Sequence, residues 1–139
     1  MYQNVLIPMD LSEQHSQAMD DAVSTLQGEE TSITLLHVIE QIQDVDDPEV
    51  KNFYDSIRAK AESLLSEKAT ELSNRGLRVK VEITFGKRGA EILRYANTHD
   101  IDLMIIRGHT KKVEDPRKEL TYLSQQLALF ANCSVLLTR

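Results

Sequence analysis

Short apolar runs alternate with amphipathic stretches along this chain, beginning with residues 4–9. Asp10 ends that run, Ser12 can cap a following helix, and Gly28 is placed to stop it. The helix would bury apolar residues at three- and four-residue spacing, namely Ala18, Met19, Ala22, Val23 and Leu26. The pattern predicts a strand, a turn and a helix.

The second unit begins with residues 33–38, a β-branched and leucine-rich run typical of a strand buried on both faces. Asp47 and Pro48 then open a long helix that ends at Gly76. Its apolar positions recur at helical spacing: Val50, Phe53, Tyr54, Ile57, Ala61, Leu64, Leu65 and Leu72.

From residue 77 to residue 85 apolar and polar residues alternate, which predicts a half-exposed strand. A helix over 89–99 and an apolar strand over 101–106 follow. After a polar stretch, a last strand covers 133–138. A last helix before it is marked by Leu120, Leu123, Leu127 and Phe130.

Five strands therefore alternate with four helices, which predicts one domain over residues 1–139 with a doubly wound parallel sheet of the α/β class. In such sheets ligands bind beyond the carboxyl ends of the strands, where the winding reverses. Two long irregular segments, about 39–47 and 108–119, are the places where we expect function.

The composition and net charge of the chain limit which kinds of binding partner are expected. The 139 residues are 41% hydrophobic and 27% charged, with a net charge of −6, so neither nucleic acid nor a membrane surface is expected as a partner. The apolar opening is too short for a signal peptide, which predicts a cytoplasmic protein. The lone Cys133 and the scattered histidines offer no metal-ligand spacing, so no metal is expected.

Five segments carry a resemblance to a known family. They are residues 5–12 (VLIPMDLS), 35–38 (LLHV), 86–93 (GKRGAEIL), 100–109 (DIDLMIIRGH) and 133–137 (CSVLL). In this order and spacing the chain resembles the universal stress proteins over essentially its whole length. The resemblance implies the strand order 3-2-1-4-5.

Members of that family that bind ATP carry three glycines after the fourth strand, where backbone N–H groups close around phosphate. Here the first is Gly108, but Lys111 replaces the second glycine, and Thr121 and Tyr122 replace the third glycine and its small hydroxyl partner. The chain therefore resembles the branch of the family that does not bind ATP, which also keeps a Gly-His after strand four. No cofactor is expected, although the lysines leave weak binding of ATP or AMP open.

Other family positions around the nucleotide are Pro8, Asp10, Val38 and His109. Asp10 would lie near adenosine or would only shape the turn after the first strand. Val38 would act through its backbone, which any residue supplies. Gly108 and His109 would contact an anion, or would serve the exit of the chain and face solvent.

Two functions from different classes remain. The first is a stress-response regulatory protein that acts as a homodimer with an unidentified protein partner, paired through Val135, Leu136, Leu137 and Thr138, since no later element covers that edge. The second is an ATP or AMP sensor with at most slow hydrolysis. A receiver domain would need an aspartate after the third strand, where Phe85 and Gly86 stand. For an enzyme, no base, nucleophile and metal set can be assembled.

Overall fold

The computed structural model describes residues 2–11, 17–26, 30–41, 46–107 and 123–138. The strands within these ranges are β1 (Asn4–Pro8), β2 (Ser32–Ile39), β3 (Arg78–Phe85), β4 (Leu103–Arg107) and β5 (Ser134–Thr138). The helices are α1 (Gln17–Ser24), α2 (Pro48–Asn74), α3 (Arg88–Thr98) and α4 (Leu123–Phe130). Strands and helices alternate as the sequence pattern predicts.

All strand pairs are parallel, and the sheet has the order β3-β2-β1-β4-β5. The first strand of the chain is thus the central one. Val5 of β1 lies beside Ile33 of β2 on one side and Leu103 of β4 on the other. The predicted fold class and strand order are both confirmed.

Apolar side chains of the sheet divide into two clusters, because successive residues of a strand point to opposite faces. One cluster packs with α1 and α2: Val5, Ile7, Met19, Val23, Leu26, Ile33, Leu35, Leu65, Leu72, Leu77, Leu103 and Ile105. The other packs with α3 and α4: Leu6, Leu36, Val38, Ile92, Tyr95, Ala96, Met104, Ile106 and Leu127. The three middle residues of β1, Val5, Leu6 and Ile7, are all apolar and buried, as expected for a strand covered on both faces.

The ends of α2 follow the predicted capping. A side-chain oxygen of Asp47 accepts a hydrogen bond from the Glu49 N–H at 2.9 Å, with Pro48 in the first turn. After the helix, Gly76 has a φ of +89°, a conformation that glycine adopts without steric cost. The predicted roles of Ser12, Gly28 and Leu120 concern residues outside the described ranges.

Asp102 fastens β1 to β4 at the amino ends of the strands. Its carboxylate accepts hydrogen bonds from the backbone N–H of Gln3 at 2.8 Å and of Asn4 at 3.0 Å. Its own N–H donates to the Asn4 carbonyl at 3.0 Å. The central strand pair is thereby held by one side chain in addition to the sheet hydrogen bonds.

Even α2, the longest helix, is rich in charged residues. Within the described ranges, no helix combines the length and the apolar character needed to cross a membrane.

Candidate functional site

The turn that follows β1 is tied to β2 at the carboxyl edge of the sheet. Met9 donates its N–H to the Leu36 carbonyl at 2.8 Å, and the ring Nδ1 of His37 lies 2.9 Å from the Met9 carbonyl oxygen. Because a carbonyl oxygen only accepts, this contact requires that Nδ1 of His37 carry the hydrogen. His37 is buried, and this contact ties the turn after β1 to β2.

Three predicted site residues lie at this edge. Pro8 ends β1, paired with Leu36 of β2, and Asp10 lies exposed two residues beyond the strand. Val38 is only 3% exposed and belongs to the cluster under α3, so only its backbone faces the edge. The fold therefore brings Pro8, Asp10 and Val38 to the carboxyl ends of two neighbouring strands.

The turn after β3 is fastened to the same edge by Gly86, whose N–H donates to the Ile39 carbonyl at 3.0 Å. Gly86 has a φ of +146°. A Cβ added there would lie 2.8 Å from Cγ of Glu91 in the first turn of α3. A side chain at this position would therefore be strained both in its backbone and against its neighbour.

Beyond β4, whose last residue Arg107 is half-buried, the chain leaves the described ranges. The predictions for the phosphate loop concern Gly108, His109, Lys111, Thr121 and Tyr122, all of which lie outside them. Their roles stay predictions.

At the outer edge of the sheet, β5 presents apolar side chains to solvent. Leu136 and Leu137 are each 41% exposed, and Leu129 and Phe130 at the end of α4 are 66% and 67% exposed. Thr138, in contrast, is buried and donates its hydroxyl to the Ile106 carbonyl at 3.4 Å. The predicted dimer edge thus has an exposed apolar middle.

Candidates for covalent or metal chemistry are few. The pKa of the Cys133 thiol is raised by burial and, secondarily, by the charge of Asp102, so the reactive thiolate is disfavoured at neutral pH. Among the residues that the structure describes, no three histidine, cysteine, aspartate or glutamate side chains lie close enough together to hold a metal ion.

Sequence reasoning missed a feature at the opposite, amino edge of the sheet. The rings of Tyr95 in α3 and of His99, the residue that caps the end of α3, stack with centroids 3.8 Å apart and planes 8° from parallel. Their spacing of four residues was the available signal, because residues i and i+4 are neighbours on a helix.

Solved structures of similar fold cover nearly the whole chain. Universal stress protein UspA from Lactobacillus plantarum matches with a TM-score of 0.79 and 24% identity, over 99% of this chain and 98% of that one. A universal stress protein from Archaeoglobus fulgidus in complex with dAMP matches at 0.68 and 14%, over 99% and 98%. A member from Arabidopsis thaliana with AMP bound matches at 0.65 and 20%, over 97% and 90%.

No curated protein matches in a direct comparison of sequences. The sequence model of the universal stress protein family, in contrast, matches residues 1–139. The order of the strands agrees with this match. The chain therefore belongs to the universal stress protein family.

Proposed function

We propose that this protein is a cytoplasmic stress-response regulator that acts as a homodimer on a protein partner and does not require tightly bound ATP. The observation that carries the proposal is the set of exposed large apolar side chains in β5 and just before it, namely Leu136 and Leu137 in the strand and Leu129 and Phe130 at the end of α4. We name this set the β5 edge. Membership of the family supports the stress-response role.

Geometry supports a second copy as the occupant of this edge. In the described sheet β5 pairs only with β4, so one row of its backbone groups has no strand partner. Leu136 and Leu137 point to opposite faces of the sheet, because they are neighbours in one strand. A strand from another copy would pair with the backbone and cover both side chains.

The residues at the phosphate-loop positions argue against tight ATP binding. Lys111 and Thr121 stand where nucleotide-binding relatives have glycine, and Tyr122 stands where they have a small hydroxyl. A Cβ hinders the left-handed backbone that such a loop uses, at a cost of roughly 1 kcal/mol or more.

An AMP or ATP sensor is the second candidate. It is favoured by the position of Pro8, Asp10 and Val38 at the carboxyl ends of β1 and β2, and by the AMP and dAMP bound in two proteins of similar fold. In this reading Lys111 and the neighbouring lysines hold phosphate as point charges.

The dimer is tested by light scattering of the eluting protein during size-exclusion chromatography. We expect twice the mass of one chain for the native protein and the mass of one chain for Leu136→Lys, since a charge at the β5 edge must lose its water to enter an interface. Phe53→Lys is the matched control, because Phe53 is exposed on α2. A native protein with the mass of one chain, or loss of the dimer in both variants, would refute pairing through β5.

Nucleotide binding is tested by isothermal titration of ATP and AMP, with a mass check for nucleotide carried through purification. We expect dissociation constants weaker than about 100 µM, near −5.5 kcal/mol. A triple variant with Lys111→Gly, Thr121→Gly and Tyr122→Ser should bind ATP more tightly, since it restores the glycine pattern. Tighter binding by the native protein would establish the sensor instead.

A further inference from the structure

A cavity of about 320 Å³ lies at the amino edge of the sheet, opposite the edge where family members place nucleotide. Asn4, Ser32 and Arg78 lie around it, from the first residues of β1, β2 and β3. Tyr95 and His99, near the end of α3, also line it. Its volume suits a small organic molecule.

Register places four polar side chains on one wall of this cavity. Ser32 pairs with Arg78 and Thr34 with Lys80, so all four point to the same face of β2 and β3. It is the face that α3 packs on, because Leu36, two residues beyond Thr34, contacts the cluster of Tyr95. The cavity therefore opens between the β3 edge and the last turns of α3.

The charge of that wall is positive. Arg78 and Lys80 are both exposed. Each of the four ion pairs found among the described residues joins other side chains, so neither cation has a carboxylate within salt-bridge distance there. In a chain of net charge −6, two neighbouring cations without a counterion favour an anionic ligand.

Tyr95, which lines the opposite wall, carries a buried polar group that lacks a partner. Tyr95 is 7% exposed, and its hydroxyl is buried without a hydrogen-bond partner in the described residues. A buried hydroxyl in this state is unfavourable and would gain from an acceptor brought by a ligand. Thr84 and Gln125 also carry such atoms, but only Tyr95 lines the cavity.

His99 completes a flat surface beside that hydroxyl. Its ring stacks on Tyr95, and its Nδ1 lies 3.0 Å from the Tyr95 carbonyl oxygen, which fixes the ring orientation. Ile101 adds an apolar contact at the same end.

We propose that this cavity binds a small organic anion, with a single carboxylate or phosphate group held by Arg78 and Lys80 and a flat apolar part against Tyr95 and His99. The guanidinium of Arg78 matches the paired oxygens of either group. The Tyr95 hydroxyl donates to the ligand. Glu82 follows Lys80 on the same face outside the cavity, which disfavours longer polyanions. The proposal does not depend on the nucleotide or dimer proposals.

The test is titration of phenyl phosphate and benzoate into isotopically labelled protein, followed by NMR, with neutral benzamide as the matched probe. We expect shifts at Ser32, Arg78, Tyr95 and His99, a dissociation constant below about 1 mM for either anion, and at least about tenfold weaker binding of benzamide. Shifts centred on Asp10 and Val38, or equal binding of benzamide, would overturn the proposal.

Two double variants test whether Arg78 and Lys80 hold the anion. Arg78→Gln with Lys80→Gln should weaken both anions at least about tenfold. Lys51→Gln with Lys60→Gln removes the same charge from exposed positions of α2 and should leave binding unchanged. Equal effects of the two double variants would show that only net charge matters, against the proposal.

The variant Tyr95→Phe separates binding from folding. It should weaken the anions about fivefold through the lost hydrogen bond, while the unfolding midpoint of the free protein stays equal or rises, since a buried hydroxyl without a partner is removed. Unchanged binding would exclude the hydroxyl as a contact.

Discussion

The two edge strands of the sheet differ in charge and in cover. β3 has eight residues and carries Arg78, Lys80 and Glu82 along one face, while α2 packs against its other face. β5 has five residues, none of them charged, with Leu136 and Leu137 partly exposed. Charged side chains on an edge discourage further strand pairing. This contrast agrees with the two proposals made above, that small anions bind beside β3 and that another protein chain covers β5.

The carboxyl end of β3 is also more firmly packed. Phe85 forms an edge-to-face contact with Tyr54 of α2, with centroids 6.3 Å apart, and Arg58 lies 5.9 Å from the Phe85 ring centroid. The last residues of α4, near β5, remain exposed. We therefore expect most of the stability of the isolated chain to reside on the β3 side, and three measurements sharpen this comparison.

The largest effect should come from truncating a core residue on the β3 side. Leu72 is 1% exposed, so Leu72→Ala should lower the free energy of unfolding by about 2–5 kcal/mol, because it removes packed methyl groups and leaves a cavity. Urea denaturation followed by circular dichroism measures the change.

The matched variant at the β5 edge is Leu129→Ala. Since Leu129 is 66% exposed, its truncation should change the free energy of unfolding by less than about 0.5 kcal/mol at dilute protein. A cost that grows with protein concentration would place Leu129 in the dimer interface. Equal costs for both variants would contradict the comparison.

A smaller loss of stability than that of Leu72→Ala is expected at the turn that ends β3. Gly86→Ala should cost about 1–3 kcal/mol, because the backbone conformation disfavours a side chain and the new Cβ would contact Glu91. Gly89→Ala is the control: it lies in α3, its Cβ would meet Leu123 at an ordinary 3.4 Å, and alanine favours helix. Thermal unfolding measures the loss of stability in both variants. If Gly89→Ala costs as much stability as Gly86→Ala, the explanation from the backbone of Gly86 is wrong.

The smallest effect concerns Cys133 at the start of β5. Because burial and then Asp102 raise its thiol pKa, alkylation by iodoacetamide at mildly alkaline pH should be slower in the native protein than in urea. The folded thiol keeps its proton at pH values where the unfolded thiol has lost it. Cys133 therefore adds stability below the unfolded pKa, and this contribution declines as pH rises towards the folded pKa. Native alkylation as fast as in urea would show that this end of β5 is open.

Much of the fold could be predicted because the hydrophobic pattern shows which faces of each strand must be buried. The apolar run of residues 4–9 requires cover on both faces, and the alternation over 77–85 requires it on only one. A central β1 and an edge β3 satisfy both requirements. The capping pair of Asp47 and Pro48 similarly marks the start of α2 from local chemistry alone.

The amino-edge cavity could not be predicted in this way. Arg78 and Lys80 resemble any exposed half of an alternating strand, and Tyr95 and His99 resemble ordinary helix positions. These residues line one cavity only because α3 and β3 lie close to each other in the folded protein. That proximity depends on tertiary packing, which no local pattern encodes.

The bond between Asp102 and the start of β1 also has a consequence for biosynthesis. The carboxylate and the Gln3 N–H that it accepts from are 99 residues apart in the chain. At roughly 5–20 residues per second, a ribosome that has made β1 takes about 5 to 20 seconds to supply Asp102 and β4. Throughout that interval the strand that becomes the centre of the sheet lacks its β4 neighbour, so the nascent chain is most exposed to mispairing before its fourth strand emerges.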